Sequence, residues 1–206
     1  MQMYSSLCAC MIFITSYDRP KMLLRLLKEL QGEKVVVIDD GSSYDPDEHL
    51  EYCEYYRVSH KGKSGFWVNW NFMLELAKES NDNEFIFLPD DIYDFDIQRL
   101  RKDYTEGALN VLDVGADRGW APKGYVDCGF ICDRKVLEAL QWRLEPVHIN
   151  RFDNPNISSG VGQQMSFRLW MKGIPMYLNG NYAKHGTHES KMHKEERLKN
   201  PLCTTL

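Results

Sequence analysis

The chain has 206 residues, of which 43% are hydrophobic and 27% are charged. This length suits a single domain, and the apolar fraction excludes a disordered chain. Lys and Arg number 25 against 30 Asp and Glu, a net charge of −5. An acidic balance disfavours nonspecific nucleic-acid binding, which depends on clustered positive charge.

The first half of the chain alternates between strand and helix patterns. Residues 11–15 and 34–39 are apolar runs typical of buried strands, and Pro20 begins a helical pattern between them that Gly32 ends. The later predicted elements are a strand over 55–59, a helix over 65–79 and a strand over 84–88. This alternation predicts a parallel sheet with ligands bound outside the carboxyl ends of its strands.

The pattern weakens after Asp91. We predict a strand over 124–133, helices over 134–142 and 163–172, and a loop over 150–162. The fold expected is therefore a single α/β domain over residues 1–206, with a mostly parallel central sheet flanked by helices.

Membrane and redox signals are weak. No stretch approaches the roughly 18 consecutive apolar residues of a membrane span. The N-terminus lacks the basic region and cleavage site of a signal peptide. The six cysteines have no zinc-site spacing, and we interpret them as reduced thiols. We expect a cytoplasmic protein without a membrane span.

Two adjacent carboxylates, Asp90 and Asp91, follow the predicted strand over 84–88. At the end of a buried strand they repel each other unless a cation or hydrogen-bond donors compensate them. A divalent ion such as Mg²⁺ or Mn²⁺ is one such partner. A turn or a helix N-cap also favours Asp, so both interpretations stay open at this point.

The motifs together resemble the GT-A nucleotide-sugar glycosyltransferases. Residues 15–20 (TSYDRP), residues 39–42 (DDGS), Asn71 and residues 89–91 (PDD) occur in that family's order and approximate spacing. The resemblance covers residues 11 to about 100 well and the rest loosely. Within the family, residues 15–20 are similar to the amino-terminal domain of chlorovirus capsid-glycan enzymes. Those enzymes are larger, which leaves open whether this chain is a piece of a longer protein.

The resemblance implies a Rossmann-like GT-A domain with a nucleotide-binding half over 11–100 and an acceptor half with a metal-closing tail over 101–206. The implied activity is metal-dependent transfer of a sugar from a UDP-sugar donor to an oligosaccharide or glycoprotein acceptor. If the chain is viral, the implied setting is capsid glycosylation in the host cytoplasm.

The same resemblance assigns the candidate site residues. Thr15 and Tyr17 would line the base pocket near Arg19, and Asp39 would accept a hydrogen bond from uracil or ribose. Asp91 would be the main metal ligand, with Asp90 on the metal or the ribose. Pro89 stands where many members have the first Asp of the D-x-D motif, which puts the number of carboxylate ligands in question. The further nucleotide-binding candidates are Lys63 and Asn71.

A late histidine closes the metal site in many members of the family. His185 is our first candidate for this role and His188 our second. An imidazole beside carboxylates favours Mn²⁺ over Mg²⁺, because nitrogen ligands suit the later metal.

The general base of inverting members has no counterpart here. They carry a Glu-Asp pair at the start of the late helix, where this sequence reads Val161-Gly162. Either Asp127 or Asp153 supplies the base, or the enzyme retains the anomeric configuration. The missing pair favours retention.

Three alternatives remain. A non-catalytic nucleotide-sugar-binding module would share the nucleotide site. A sugar nucleotidyltransferase usually carries a Gly-rich triphosphate loop, but residues 11–25 contain no glycine. A nicotinamide-dependent dehydrogenase is disfavoured because no G-x-G-x-x-G follows the first strand.

Overall fold

The structure is a computed structural model that describes residues 10–58, 66–113, 129–144, 161–180 and 183–185. Its strands are β1 (Cys10–Ser16), β2 (Lys34–Asp39), β3 (Glu54–Arg57), β4 (Glu84–Pro89), β5 (Ile92–Tyr93), β6 (Leu109–Asp113), β7 (Phe130–Asp133), β8 (Met176–Gly180) and β9 (Lys184–His185). Its helices are α1 (Pro20–Glu29), α2 (Phe66–Glu79), α3 (Ile97–Asp103), α4 (Arg134–Ala139) and α5 (Val161–Met171).

Seven strands form one sheet in the order β3-β2-β1-β4-β7-β6-β8, and β5 pairs with β9 in a separate ladder. Within the large sheet, β7 is antiparallel to both of its neighbours, whereas the other pairs are parallel. This arrangement confirms the predicted α/β fold with a mostly parallel sheet flanked by helices.

The central strands are buried on both faces. Phe13 of β1 faces the side covered by α2, and its neighbours Ile12 and Ile14 face the side covered by α1. On the α2 side, the indole of Trp70 packs against the rings of Phe87 and Phe130 at centroid distances of 6.1 and 5.2 Å. Two apolar layers therefore cover the two faces of the sheet.

The register places the carboxyl ends of β1, β2 and β4 next to one another. Ser16 at the end of β1 lies beside Asp39 at the end of β2, and Thr15 lies beside Pro89 at the end of β4. Parallel strands run in the same direction, so the residues that follow these strands all emerge beyond the carboxyl ends of the strands. Asp90 and Asp91 therefore leave the sheet close to the end of β1.

The predicted elements of the first half are confirmed, with small shifts at their ends. In the second half, α4 ends at Ala139 rather than at residue 142, because Gln141 and Trp142 have left-handed φ angles of 58° and 55°. Val161 and Gly162 belong to α5, so the predicted loop over 150–162 was wrong for those two residues. The prediction missed five elements, which are β5, α3, β6, β8 and β9.

The helices in the part of the chain that the structure describes were compared with the length and hydropathy of a membrane span. None of these helices is long and apolar enough to cross a membrane.

Candidate functional site

The loops that follow β1 and β2 are tied to each other. The backbone N–H of Asp18 donates to the hydroxyl of Ser42 at 2.7 Å, and the backbone N–H of Ser43 donates to the carboxylate of Asp18 at 2.8 Å. Asp18 has a φ of 51°, a left-handed conformation that Asp tolerates better than most residues. These reciprocal bonds fix the two loops relative to each other.

Asp39 ends β2 with no solvent exposure of its side chain. Its carboxylate accepts from the backbone N–H of Ser42 at 3.2 Å and from the Ser42 hydroxyl. Arg57, at the end of β3, donates to it from Nε at 2.6 Å. A fully buried charge is costly unless it is paired and hydrogen-bonded, and these donors meet that need.

Arg57 is also flanked by two tyrosine rings. Its guanidinium carbon lies 5.5 Å from the ring centroid of Tyr44 and 5.7 Å from that of Tyr55. Burial raises the pKa of both phenols above the ordinary value, so both stay neutral at physiological pH. The Arg57 side chain is 36% exposed, which leaves it accessible to a ligand. We call Asp39, Tyr44, Tyr55 and Arg57 the arginine–tyrosine cluster.

Asp90 and Asp91 are compensated by Arg19. Nη1 of Arg19 donates to Oδ1 of Asp90 at 2.7 Å and to Oδ2 of Asp91 at 3.1 Å. The hydroxyl of Ser16 donates to the other oxygen of Asp90 at 2.8 Å. Burial raises the pKa of Asp90, and the charge of Arg19 opposes this effect. We call Asp90, Asp91 and Arg19 the carboxylate–arginine cluster.

Arg19 lies beside the two carboxylates in the structure. Its guanidinium contacts both of them, and Arg57 is the arginine beside Asp39. Its side chain extends from the short connection between β1 and α1, from which the carboxylates after β4 are within reach. A nucleotide-binding role for Arg19 stays a prediction.

The two carboxylates fit a divalent cation in part. Their oxygens converge on one positively charged nitrogen, and oxygen ligands suit Mg²⁺ and Mn²⁺. Within the described ranges, however, no group of three His, Cys, Asp or Glu side chains is placed to hold a metal.

The main chain of His185 lies beside the residue that follows these two carboxylates. In the β5–β9 ladder His185 pairs with Ile92, the residue that directly follows Asp91. The backbone of His185 therefore lies close in the structure to that of Asp91. Its role as a ligand stays a prediction, and His188 lies outside the described residues.

The remaining predicted residues are less informative. The side-chain amide of Asn71 donates to the carbonyl of Leu144 at 2.9 Å and accepts from its N–H at 2.7 Å, which ties α2 to the segment after α4. Both ends of this amide thus have a structural partner. Thr15 and Tyr17 lie half-buried at the end of β1 and in the loop after it. Lys63, Asp127 and Asp153 lie outside the described residues.

Sequence reasoning missed the arginine–tyrosine cluster apart from Asp39. One signal pointed to Arg57, because a charged residue near the end of a strand parallel to β2 belongs to the ligand-binding edge. Tyr44 had no such signal, since its place beside Arg57 depends on the path of the loop after β2.

Comparison with known proteins identifies the fold. No model of a known protein family matches the sequence, and no curated protein matches it. A Bacillus anthracis structure described as a glucose-1-phosphate thymidylyltransferase is 12% identical over 85% of this chain and 88% of its own, with a TM-score of 0.55. The catalytic domain of Drosophila β1,4-galactosyltransferase 7 is 10% identical over 86% of this chain and 67% of its own, with a TM-score of 0.53. The chain has a GT-A fold.

A glycosyltransferase involved in the glycosylation of the major capsid of PBCV-1 is also similar, at 12% identity over 84% of this chain and 81% of that chain, with a TM-score of 0.42. Identities this low speak to the fold alone. The GT-A fold is shared by enzymes that make nucleotide-sugars and enzymes that use them, so the reaction has to be argued from the site.

Proposed function

We propose that the chain is a metal-dependent glycosyltransferase that moves a sugar from a UDP-sugar to a glycan acceptor. The observation that carries the proposal is the arrangement of the sheet edge. The arginine–tyrosine cluster lies at the ends of β2 and β3, and the carboxylate–arginine cluster lies beyond the end of β4, with β1 between them.

The spacing of the two clusters suits a nucleoside diphosphate. Asp39 ends β2 and Asp90 follows β4, and these two strands are two positions apart in the sheet. With neighbouring strands about 4.8 Å apart, this places the backbones of the two residues about 10 Å from each other across the strands. A base at one cluster and a diphosphate at the other would span this distance.

The arginine–tyrosine cluster is suited to a pyrimidine base. Arg57 lies over the rings of Tyr44 and Tyr55, and its Nη2 donates to the Tyr44 carbonyl and the Tyr55 hydroxyl. The exposed part of this cluster would stack against the base, with the guanidinium donating to a carbonyl oxygen of uracil. Asp39 has no exposed surface, so we assign it the task of orienting Arg57. Thr15 and Tyr17, which lie nearby on β1 and the loop after it, are proposed to complete the pocket.

The carboxylate–arginine cluster is suited to the diphosphate end. Asp90 and Asp91 would hold the cation, with Ser16 fixing the orientation of Asp90 through its hydroxyl. A divalent ion bound there would supply charge stabilisation for the departing diphosphate. His185 is proposed as a further ligand, because its main chain lies beside Ile92.

Retention of the anomeric configuration is the favoured outcome. α5 begins with Val161 and Gly162, so the start of this helix carries no carboxylate that could deprotonate the acceptor. Asp127 and Asp153 remain the candidates for a base if the enzyme inverts. The chlorovirus resemblance of residues 15–20 supports a capsid-linked glycan as acceptor and the host cytoplasm as location.

The nucleotidyltransferase alternative is disfavoured by the connection between β1 and α1. The strand ends at Ser16 and the helix begins at Pro20, which leaves three residues, none of them glycine. A Gly-rich loop that wraps a triphosphate needs more chain than this. The non-catalytic binding module shares the proposed nucleotide site and differs from it only in turnover.

Calorimetric titration tests the proposal. UDP is titrated into the full chain with and without Mn²⁺, with GDP and NAD as controls. We expect binding that is selective for UDP and depends on Mn²⁺. The absence of UDP binding under both conditions contradicts the proposal. Binding without release of UDP from any UDP-sugar, measured with and without acceptor glycans, identifies the binding module instead.

A further inference from the structure

Arg19 occupies the point on which the two site carboxylates converge. Its Nη1 lies 2.7 Å from Oδ1 of Asp90 and 3.1 Å from Oδ2 of Asp91. The two carboxylate side chains are 3% and 7% exposed, so solvent screens them little. A divalent ion coordinated by the same two oxygens, at about 2.0–2.3 Å from each, would overlap this nitrogen.

Both carboxylates accept their hydrogen bonds from the same nitrogen of Arg19, Nη1. Elsewhere in the structure, Arg101 binds Glu33 through a two-nitrogen fork, with distances of 2.8 and 2.6 Å. Arg19 instead bridges two carboxylates from Nη1, and its buried Nε has no hydrogen-bond partner in the part of the chain described. The guanidinium therefore leaves part of its donor capacity unused in this position.

Charge balance makes the occupancy of this point exclusive. The guanidinium of Arg19 already compensates both carboxylates in a nearly dry site. A divalent ion added beside the guanidinium would place two cations in contact, which is unfavourable at low dielectric constant. A diphosphate arriving with the ion would restore the balance and offer the displaced guanidinium a new anionic partner.

We propose that Arg19 is a built-in counter-ion that competes with the divalent ion for Asp90 and Asp91, and that it thereby makes metal binding depend on the nucleotide. This inference rests on the proposed function and deepens it. An ion that binds without UDP must displace Arg19 to a position where its positive charge has no anionic partner. The ion together with UDP leaves Arg19 paired with phosphate oxygens. Because coupling between two ligands is reciprocal, Arg19 also makes UDP binding depend on the ion.

Direct measurement of Mn²⁺ binding tests this role without any activity assay. Free Mn²⁺ is followed by electron paramagnetic resonance during titration of the full chain, with and without UDP. The variants are Arg19→Gln, Arg19→Lys and, as a matched control, Arg99→Gln, which removes an exposed arginine of α3. Without UDP, we expect Arg19→Gln to bind Mn²⁺ at least about tenfold more tightly than the unaltered chain, within the range of common coupling factors.

Arg19→Lys and Arg99→Gln show whether the gain in Mn²⁺ affinity is specific to the guanidinium of Arg19. Arg19→Lys keeps a cation on a different side chain and should bind Mn²⁺ with intermediate affinity, whereas Arg99→Gln should match the unaltered chain. The gain in Mn²⁺ affinity on adding UDP should be smaller in Arg19→Gln than in the unaltered chain. If Arg19→Gln fails to fold without metal, the Arg19→Lys comparison carries the test.

The failures of the two proposals are distinguishable. If the unaltered chain binds Mn²⁺ and UDP together but the Arg19 variants bind Mn²⁺ alone no more tightly, the counter-ion role is overturned and the proposed function stands. If the unaltered chain binds no Mn²⁺ even with UDP, the metal-dependent function is overturned, together with the inference that rests on it.

Discussion

Replacing Arg57 with methionine removes the cation that compensates a fully buried carboxylate. Methionine keeps an unbranched stem that reaches about as far as Nε of arginine, but it lacks the guanidinium that lies over the rings of Tyr44 and Tyr55. It therefore donates no hydrogen bond to Asp39 or to the Tyr44 carbonyl. The carboxylate would retain the two donors of Ser42. Arg57→Met should therefore lower the free energy of unfolding and weaken UDP binding together.

The magnitude follows from the contact and its exposure. A hydrogen bond to a charged group contributes about 1.5–3 kcal/mol. The 36% exposure of Arg57 allows solvent to screen the pair, so the lower part of that range applies. We expect a loss of about 1.5–2 kcal/mol, which for a chain of this size lowers Tm by about 3–8 °C.

Urea denaturation of single and double variants measures this contribution. Asp39→Asn combined with Arg57→Met removes both charges, so the double variant should be at least about 1 kcal/mol more stable than the sum of the two single losses predicts. Arg99→Met, on the exposed side of α3, should stay within about 0.5 kcal/mol of the unaltered chain. Additive losses, or an Arg57→Met chain of full stability, would refute the pairing of Arg57 with Asp39.

Two further predictions concern the carboxylates and the turn before β7. Asp91→Asn should abolish Mn²⁺-dependent UDP binding while the circular dichroism spectrum stays unchanged. The control Asp94→Asn alters an exposed residue paired with Lys184 and should leave UDP binding intact. Equal effects of the two substitutions would contradict a ligand role for Asp91. Gly129→Ala should cost about 2–4 kcal/mol, because Gly129 has a φ of 118° and an added Cβ would lie 2.9 Å from the carbonyl oxygen of Phe87. The control is Gly32→Ala, because Gly32 has a φ of 91° and no atom lies within 4 Å of the added Cβ. In thermal denaturation it should lower the free energy of unfolding by about 1–2 kcal/mol. A loss as large as that of Gly129→Ala would show that the close contact with Phe87 does not cause the larger effect.

The first half of the fold was predictable because its elements have clear periodicity. β1, β2 and β4 are apolar runs buried on both faces, and α1 presents a regular apolar stripe. The missed elements lack such patterns. β6 carries the buried Asn110, whose amide bonds to the carbonyls of Thr105 and Ala108, and β8 at the end of the sheet exposes three large apolar side chains in succession. β5 and β9 have two residues each and exist because distant segments meet.

The candidate site was predictable where residues directly follow strands. Asp39, Asp90 and Asp91 were found in this way, since the strand ends fix where their backbones lie. The partners of these carboxylates were not found, because a long arginine side chain can reach several neighbours and tertiary packing selects among them. Arg19 and Arg57 illustrate this point, as both were within reach of acidic residues that sequence spacing alone did not single out.

The insertion of β7 between β4 and β6 governs how the protein can be divided. β7 lies far along the chain from β4, yet it covers the outer side of β4, whose four central residues, Phe85, Ile86, Phe87 and Leu88, are all buried. A fragment ending near residue 100 would retain the predicted nucleotide-binding half but would expose this apolar strand as an unprotected edge. Such edges recruit other chains, so the fragment should aggregate rather than fold, and a nascent chain passes through the same vulnerable state before β7 is made.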